Sequence, residues 1–209
     1  AEAGDIVALA GGRDALLAMT NNDMLTGYTA GKILWMQRHE PDQFDKVAHA
    51  VNPKDYLRYI LTGTFATEVS DASGTGLFDV RSRAWSGALL EKLPFDAELL
   101  PECHESDVVS GQVSNIGAKL FGLRPGTPVI GGGGDSVIQT LGTSVVRPGV
   151  LQTTIGTGGI IAAPLAACVS LTPSSRATCC TPPIWFNRSV NCIWFSRESS
   201  VLVGRTSRC

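Results

Sequence analysis

Thr127-Pro128-Val129-Ile130-Gly131-Gly132-Gly133-Gly134-Asp135-Ser136 is a short apolar run that ends in four glycines and one carboxylate. Thr, Val and Ile are β-branched and bounded by Pro and Gly, so the run reads as a buried strand, and residues 136–141 read as the first turns of a helix. Asp135 therefore sits at a strand-to-helix corner. Glycines at such a corner let backbone approach a ligand closely, and open sheets bind ligands beyond the carboxyl ends of their strands. Local sequence leaves two roles open for Asp135: a cap for the following helix, or a general base.

Outward from this corner, residues 108–113, 116–120 and 128–130 read as strand, helix and strand. That alternation argues an α/β fold. Residues 151–155 form one more strand running into Gly156-Thr157-Gly158-Gly159, with Ile160-Ile161 returning as its hairpin partner. A strand opening into Gly-Thr-Gly offers successive backbone N–H groups and one hydroxyl to an anion such as phosphate. An ordinary hairpin turn is the other reading.

Upstream, residues 14–19 predict a short helix after the Gly11-Gly12 break. A stronger one is centred on residues 32–36, opened by Thr29 as N-cap and ended near Glu40-Pro41; its Ile33, Trp35 and Met36 read as a core-facing stripe. Pro41 opens a further helix with Phe44, Val47 and Ala48 at apolar spacing, and residues 53–61 follow with Pro53 at the start and Gly63 at the end. Residues 67–76 read as a polar, small-residue loop, 77–80 as a short strand, 85–93 as a helix and 99–101 as a turn. The part from Ser70 to Thr75 could line a cleft or simply turn the chain, the turn being favoured.

The 209 residues suit one domain or one and a part, and no stretch reaches transmembrane length. Residues 1–25 carry Glu2, Asp5, Asp14 and Asp23 instead of a basic and then apolar leader, so a cytoplasmic protein is expected, without membrane or nucleic-acid partners. The net charge of −2 is unevenly spread. Before Pro164 there are 18 acids against 12 bases, whereas from Pro164 onward there are five arginines and only Glu198. Five of the six cysteines (Cys168, Cys179, Cys180, Cys192 and Cys209) and one of the 23 glycines fall in that last segment, which has no lysine. Its cysteines have neither disulfide-framework nor zinc spacing, and residues 164–209 are expected to be a disordered tail, read in a shifted frame or truncated. His39, His49 and His104 form no ligand pair. Neither a complete G-x-G-x-x-G nor a Walker A loop is present.

Gly27-Tyr28-Thr29-Ala30-Gly31-Lys32-Ile33-Leu34-Trp35-Met36-Gln37-Arg38-His39 resembles a signature of the FGGY family of carbohydrate kinases. Pro53-Lys54-Asp55-Tyr56-Leu57-Arg58-Tyr59 with Leu61-Thr62-Gly63, then Ser70-Asp71-Ala72-Ser73-Gly74-Thr75, resembles its xylulokinase branch. Gly132-Gly133-Gly134-Asp135 and Thr154-Ile155-Gly156-Thr157-Gly158 fall in the family's order. The resemblance covers about residues 20 to 162. It implies an actin-like ATPase fold of ribonuclease H type, with sugar and ATP in a cleft between two domains. Residues 1–146 would be the later part of the N-terminal, sugar-binding domain, residues 147–163 the start of the C-terminal, nucleotide-binding domain, and 164–209 a non-family tail. The chain would lack the family's N-terminal Mg²⁺-binding phosphate loop and its adenosine-binding glycines.

By the same resemblance Asp135 takes the proton from the sugar hydroxyl, Asp135 and Ser136 contact the sugar, and Gly156, Thr157 and Gly158 hold the phosphates of ATP, with Mg²⁺ as its companion. A homodimer is allowed. The branch carries Asn where this chain has Ser136, which leaves the pentulose unnamed. Two function classes follow: an ATP-dependent kinase for a pentulose such as xylulose, or a non-catalytic fragment or pseudogene product of one.

Overall fold

In the computed structural model, which describes residues 1–155, 159–165, 178–180 and 191–196, local chemistry sets the helices of the first third. α1 (Glu2–Ala10) ends at Gly11, whose φ of 99° lies in the left-handed region that favours glycine, and α2 (Arg13–Thr20) begins two residues later. α3 (Thr29–His39) buries Ala30, Ile33 and Leu34. The expected stripe through Trp35 is therefore rotated: positions i, i+3 and i+4 from Ala30 face the core, while Trp35 is 47% exposed and sets its ring against His39. Thr29 is the first helical residue rather than the cap. Tyr28 holds the cap position, and Thr29 Oγ1 donates to Asn52 Oδ1 at 3.2 Å. α4 (Pro41–Phe44) starts at Pro41 as expected but lasts one turn, whereas α5 (Pro53–Thr62) runs from its proline to Gly63 at φ 80°.

β1 (Ala66–Glu68) passes directly into α6 (Val69–Ser73), where the sequence predicts a loop. The reason is a buried cap: the Glu68 carboxylate accepts from the amides of Ser70 and Asp71, each at 2.8 Å. β2 (Phe78–Asp79) and β3 (Ala84–Trp85) pair antiparallel, so Trp85 ends a strand, and α7 (Gly87–Leu90) starts behind the Ser86 cap. Ile6, Leu16, Leu34, Leu77 and Leu89 are fully buried in the largest apolar cluster, which α1, α2 and α3 share with the chain around α7.

β4 (Glu102–His104) pairs parallel with β1, and β5 (Val109–Gln112) pairs antiparallel with β6 (Pro128–Ile130). α8 (Asn115–Phe121) connects the second pair and packs tightly on α5: a Cβ added at Gly117 would lie 2.3 Å from the Leu61 carbonyl oxygen. α9 (Asp135–Gly142) follows β6 across the glycines. β7 (Gln152–Ile155) and β8 (Gly159–Leu165) form the expected antiparallel hairpin, and buried Val137 of α9 packs with Ala162 of β8. β8 also pairs with β10 (Asn191–Ser196), which pairs with β9 (Thr178–Cys180), in the order β7-β8-β10-β9.

Most of residues 164–209 lies outside the described residues. Pro164 lies inside β8, and Ile193-Trp194-Phe195, the apolar run of that segment, lies on β10 at the edge β8 would otherwise leave open. Among the described residues no helix is long and apolar enough to cross a membrane.

Candidate active site

The corner between β6 and α9 is made of backbone. Gly131 runs so close to β1 that an added Cβ would stand 2.9 Å from the Glu68 Cβ, and Gly132 has φ 78°. Gly134 occupies the N-cap of α9 with no side-chain cap, so Asp135 is the first helical residue and does not cap the helix. Its Oδ1 accepts from the Ser136 amide at 2.7 Å and the Ser136 hydroxyl at 3.1 Å. The carboxylate is exposed, and among the described residues Oδ2 accepts no hydrogen bond. A proton acceptor needs a lone pair left open in this way.

Beneath the corner lies a buried polar cluster that the sequence reading did not assign to the site. Its hub is Glu68, which is fully buried. Besides capping α6, it accepts from the hydroxyls of Ser70 at 2.7 Å and Ser106 at 2.6 Å. Four hydrogen bonds satisfy a carboxylate whose burial would otherwise cost several kcal/mol. Lys54 Nζ donates to Asp55 Oδ1 at 2.8 Å and to the Gly131 carbonyl at 3.0 Å, with Asp71 at 3.4 Å and Glu68 at 3.7 Å. Asp55 also accepts from the Thr67 hydroxyl at 2.7 Å, and Arg58, one helical turn along α5, faces Asp55 and Ser110. The residues that α5 buries are thus Asp55 and Arg58, two charged groups.

These contacts shift protonation equilibria. Burial pulls the Lys54 ammonium down, but Asp55, Glu68 and Asp71 outweigh it, and its pKa lies above the ordinary lysine value. Burial pushes the Asp71 carboxyl up to about 6, against the pull of Lys54 and with the repulsion of Glu68 and Asp55. Burial likewise lowers the Arg58 guanidinium, opposed by Asp55 and Glu68. The Cys103 thiol is pushed up to about 12 by burial and by Glu68 and Glu105, which leaves it a poor nucleophile.

Asp135 and Ser136 stand side by side at the corner, hydrogen-bonded to each other. Gly156, Thr157 and Gly158 lie outside the described residues. His39 and His49 are exposed and His104 is half-buried, and among the described residues no group of three His, Cys, Asp or Glu side chains could hold a metal. The signal that could have located the cluster is in the helix at 53–62: a K-D-x-x-R spacing places Asp55 and Arg58 on one face, and that face is the buried one.

A parallel pair and an antiparallel pair of short strands, helices packed on them, and a glycine corner presenting one open carboxylate are parts of an actin-like ATPase fold. The description "FGGY family of carbohydrate kinases, N-terminal domain" matches residues 3–142, and the chain belongs to this family. It is 37% identical over 142 residues to the xylulose kinase of Escherichia coli (strain K12), covering 68% of this chain and 29% of that protein. It is 38% identical over 149 residues to the xylulose kinase of Bacillus subtilis (strain 168), covering 71% and 30%. Among solved structures, the xylulose kinase from Rhodospirillum rubrum superposes with a TM-score of 0.81 at 27% identity, over 93% of this chain and 39% of that one. The chain thus spans about 30% of the length of the curated relatives it matches.

Proposed function

We propose that this chain carries the sugar-facing corner of an ATP-dependent carbohydrate kinase of xylulokinase type, acting on a pentulose. Residues 1–146 form the later part of its sugar-binding domain, and residues 147–163 begin the nucleotide-binding one. The observation that carries the reading is the exposed Asp135 carboxylate, fixed at the β6–α9 corner with Oδ2 open. Asp135 takes the proton of the sugar hydroxyl as that oxygen bonds to the γ-phosphorus and the bond from that phosphorus to the β–γ bridging oxygen breaks, with ADP as the leaving group, and Ser136 contacts the sugar beside it. ATP supplies the phosphoryl group. Its phosphates meet the Gly156-Thr157-Gly158 turn, and Mg²⁺ accompanies it; among the described residues no group of three His, Cys, Asp or Glu side chains could hold a metal. Phosphoryl transfer through a loose transition state asks mainly for positioning and charge stabilisation, so a carboxylate placed at the acceptor hydroxyl suffices as base.

The test is ADP release with ATP, Mg²⁺ and a panel of pentuloses, hexuloses, polyols and gluconate, using a kinase of family length that carries residues 1–163. Asp135→Asn is expected to lower kcat by roughly 10² to 10⁴, with nucleotide affinity unchanged. Turnover at the parent rate would sink the assignment.

A further inference from the structure

A run of four glycines has no side chains to pack, so its backbone is free unless something else holds it. Here the Gly131 amide donates to the Val108 carbonyl at 3.2 Å, and three further tie points lead to Glu68. The Gly131 carbonyl accepts from Lys54 Nζ at 3.0 Å, and that ammonium is 3.7 Å from the Glu68 carboxylate. The Gly132 amide donates to the Ser106 carbonyl at 2.9 Å, and the Ser106 hydroxyl donates to Glu68. The Gly134 amide donates to Ser70 Oγ at 2.8 Å, and that hydroxyl donates in turn to Glu68. The first and last glycines are therefore clamped from opposite ends, by a donor at Gly131 and an acceptor at Gly134, on the residues that lead into Asp135.

We propose that Lys54 and Ser70 are positioning residues for Asp135, acting through Gly131 and Gly134 to hold the carboxylate at the mouth of the site; this rests on the kinase reading of Asp135. Lys54 suits the task because three carboxylates hold its ammonium in place, with 29% of the side chain exposed. Ser70 suits it because a hydroxyl can accept from Gly134 while donating to Glu68, which neither a carboxylate nor an ammonium could do.

The experiment is amide hydrogen exchange, read by NMR on the 209-residue chain, with Ser70→Ala, Ser70→Thr and Lys54→Met. Ser70→Ala is expected to speed exchange at Gly134 roughly five- to tenfold, the loss of its one hydrogen bond, and to speed Gly132 in the same direction as the run loosens, while amides of α1 and α3 keep their protection. The pH profile of the Ser136 amide resonance, which reports the carboxylate bonded to it, should move with Ser70→Ala. Ser70→Thr should restore both signals. Lys54→Met should act in the same direction. Unchanged exchange at Gly132 and Gly134 in Ser70→Ala overturns the proposal, as does equal loosening throughout α1 and α3. Neither readout needs turnover, so a failure of the kinase assignment would be seen separately, in Asp135→Asn.

Discussion

Asp71 stands beside the glycine corner with its Oδ1 3.0 Å from where a Cβ of residue 134 would be. Its folded-state titration near 6 lies above the ordinary value of 3.8, so the folded protein binds a proton more tightly than the unfolded chain does. The charged form therefore costs stability above pH 6. That cost fades as the pH falls through 6 and is gone below about 4. Asp71→Asn is expected to stabilise the chain at pH 7.5 by on the order of 2 kcal/mol and to bring no gain near pH 4. Urea unfolding at the two pH values measures this; a variant less stable at pH 7.5 would mean that the Lys54 contact outweighs burial. At this scale Asp135 was legible, because β-branched residues, glycines and an acid in that order specify a corner locally. Its supports were not. Lys54 and Ser70 lie 77 and 64 positions from the glycines they hold, and a buried glutamate has no local signature.

At the scale of elements, one substitution carries opposite signs in two helices. Gly117→Ala on α8 would drive a Cβ to 2.3 Å from backbone of α5, so the helices must separate, at a cost of roughly 1–3 kcal/mol. Gly4→Ala on α1 meets nothing within 4 Å and removes a helix-interior glycine, a gain of up to about 1 kcal/mol. Denaturant midpoints of the pair test the packing, and equal shifts would contradict it. Elements punctuated by Pro and Gly, such as α5 and the β7–β8 hairpin, were readable from the chain. α1 was not, since its cap position is Ala1, with no side-chain hydrogen bond to mark the start. α6 was read as a loop because its small polar residues favour turns in isolation; the cap that overrides them is Glu68, an unusual residue for that role. The sequence places Trp85 at the start of a helix, but it pairs opposite Phe78 and stacks edge-on with it at 5.6 Å.

For the whole molecule, the kinase reading predicts that the 209-residue chain by itself forms no ADP in the presence of sugar. Phosphoryl transfer needs acceptor, γ-phosphate and metal held together, and the chain spans about 30% of its curated relatives. Sugar-dependent ADP release that survived repurification and vanished in Asp135→Ala would overturn this. The outward side of α8, with Ile116 77% and Leu120 63% exposed one turn apart, also predicts limited solubility. The three ties on the glycine corner bear on the order of synthesis as well. Lys54, Glu68, Ser70 and Ser106 all leave the ribosome before Gly131, so the receiving surface can be folded before the residues that dock on it emerge. The carboxylate at position 135 is then set by a template already made upstream. A nascent chain whose earlier part has misfolded would have no place to set it.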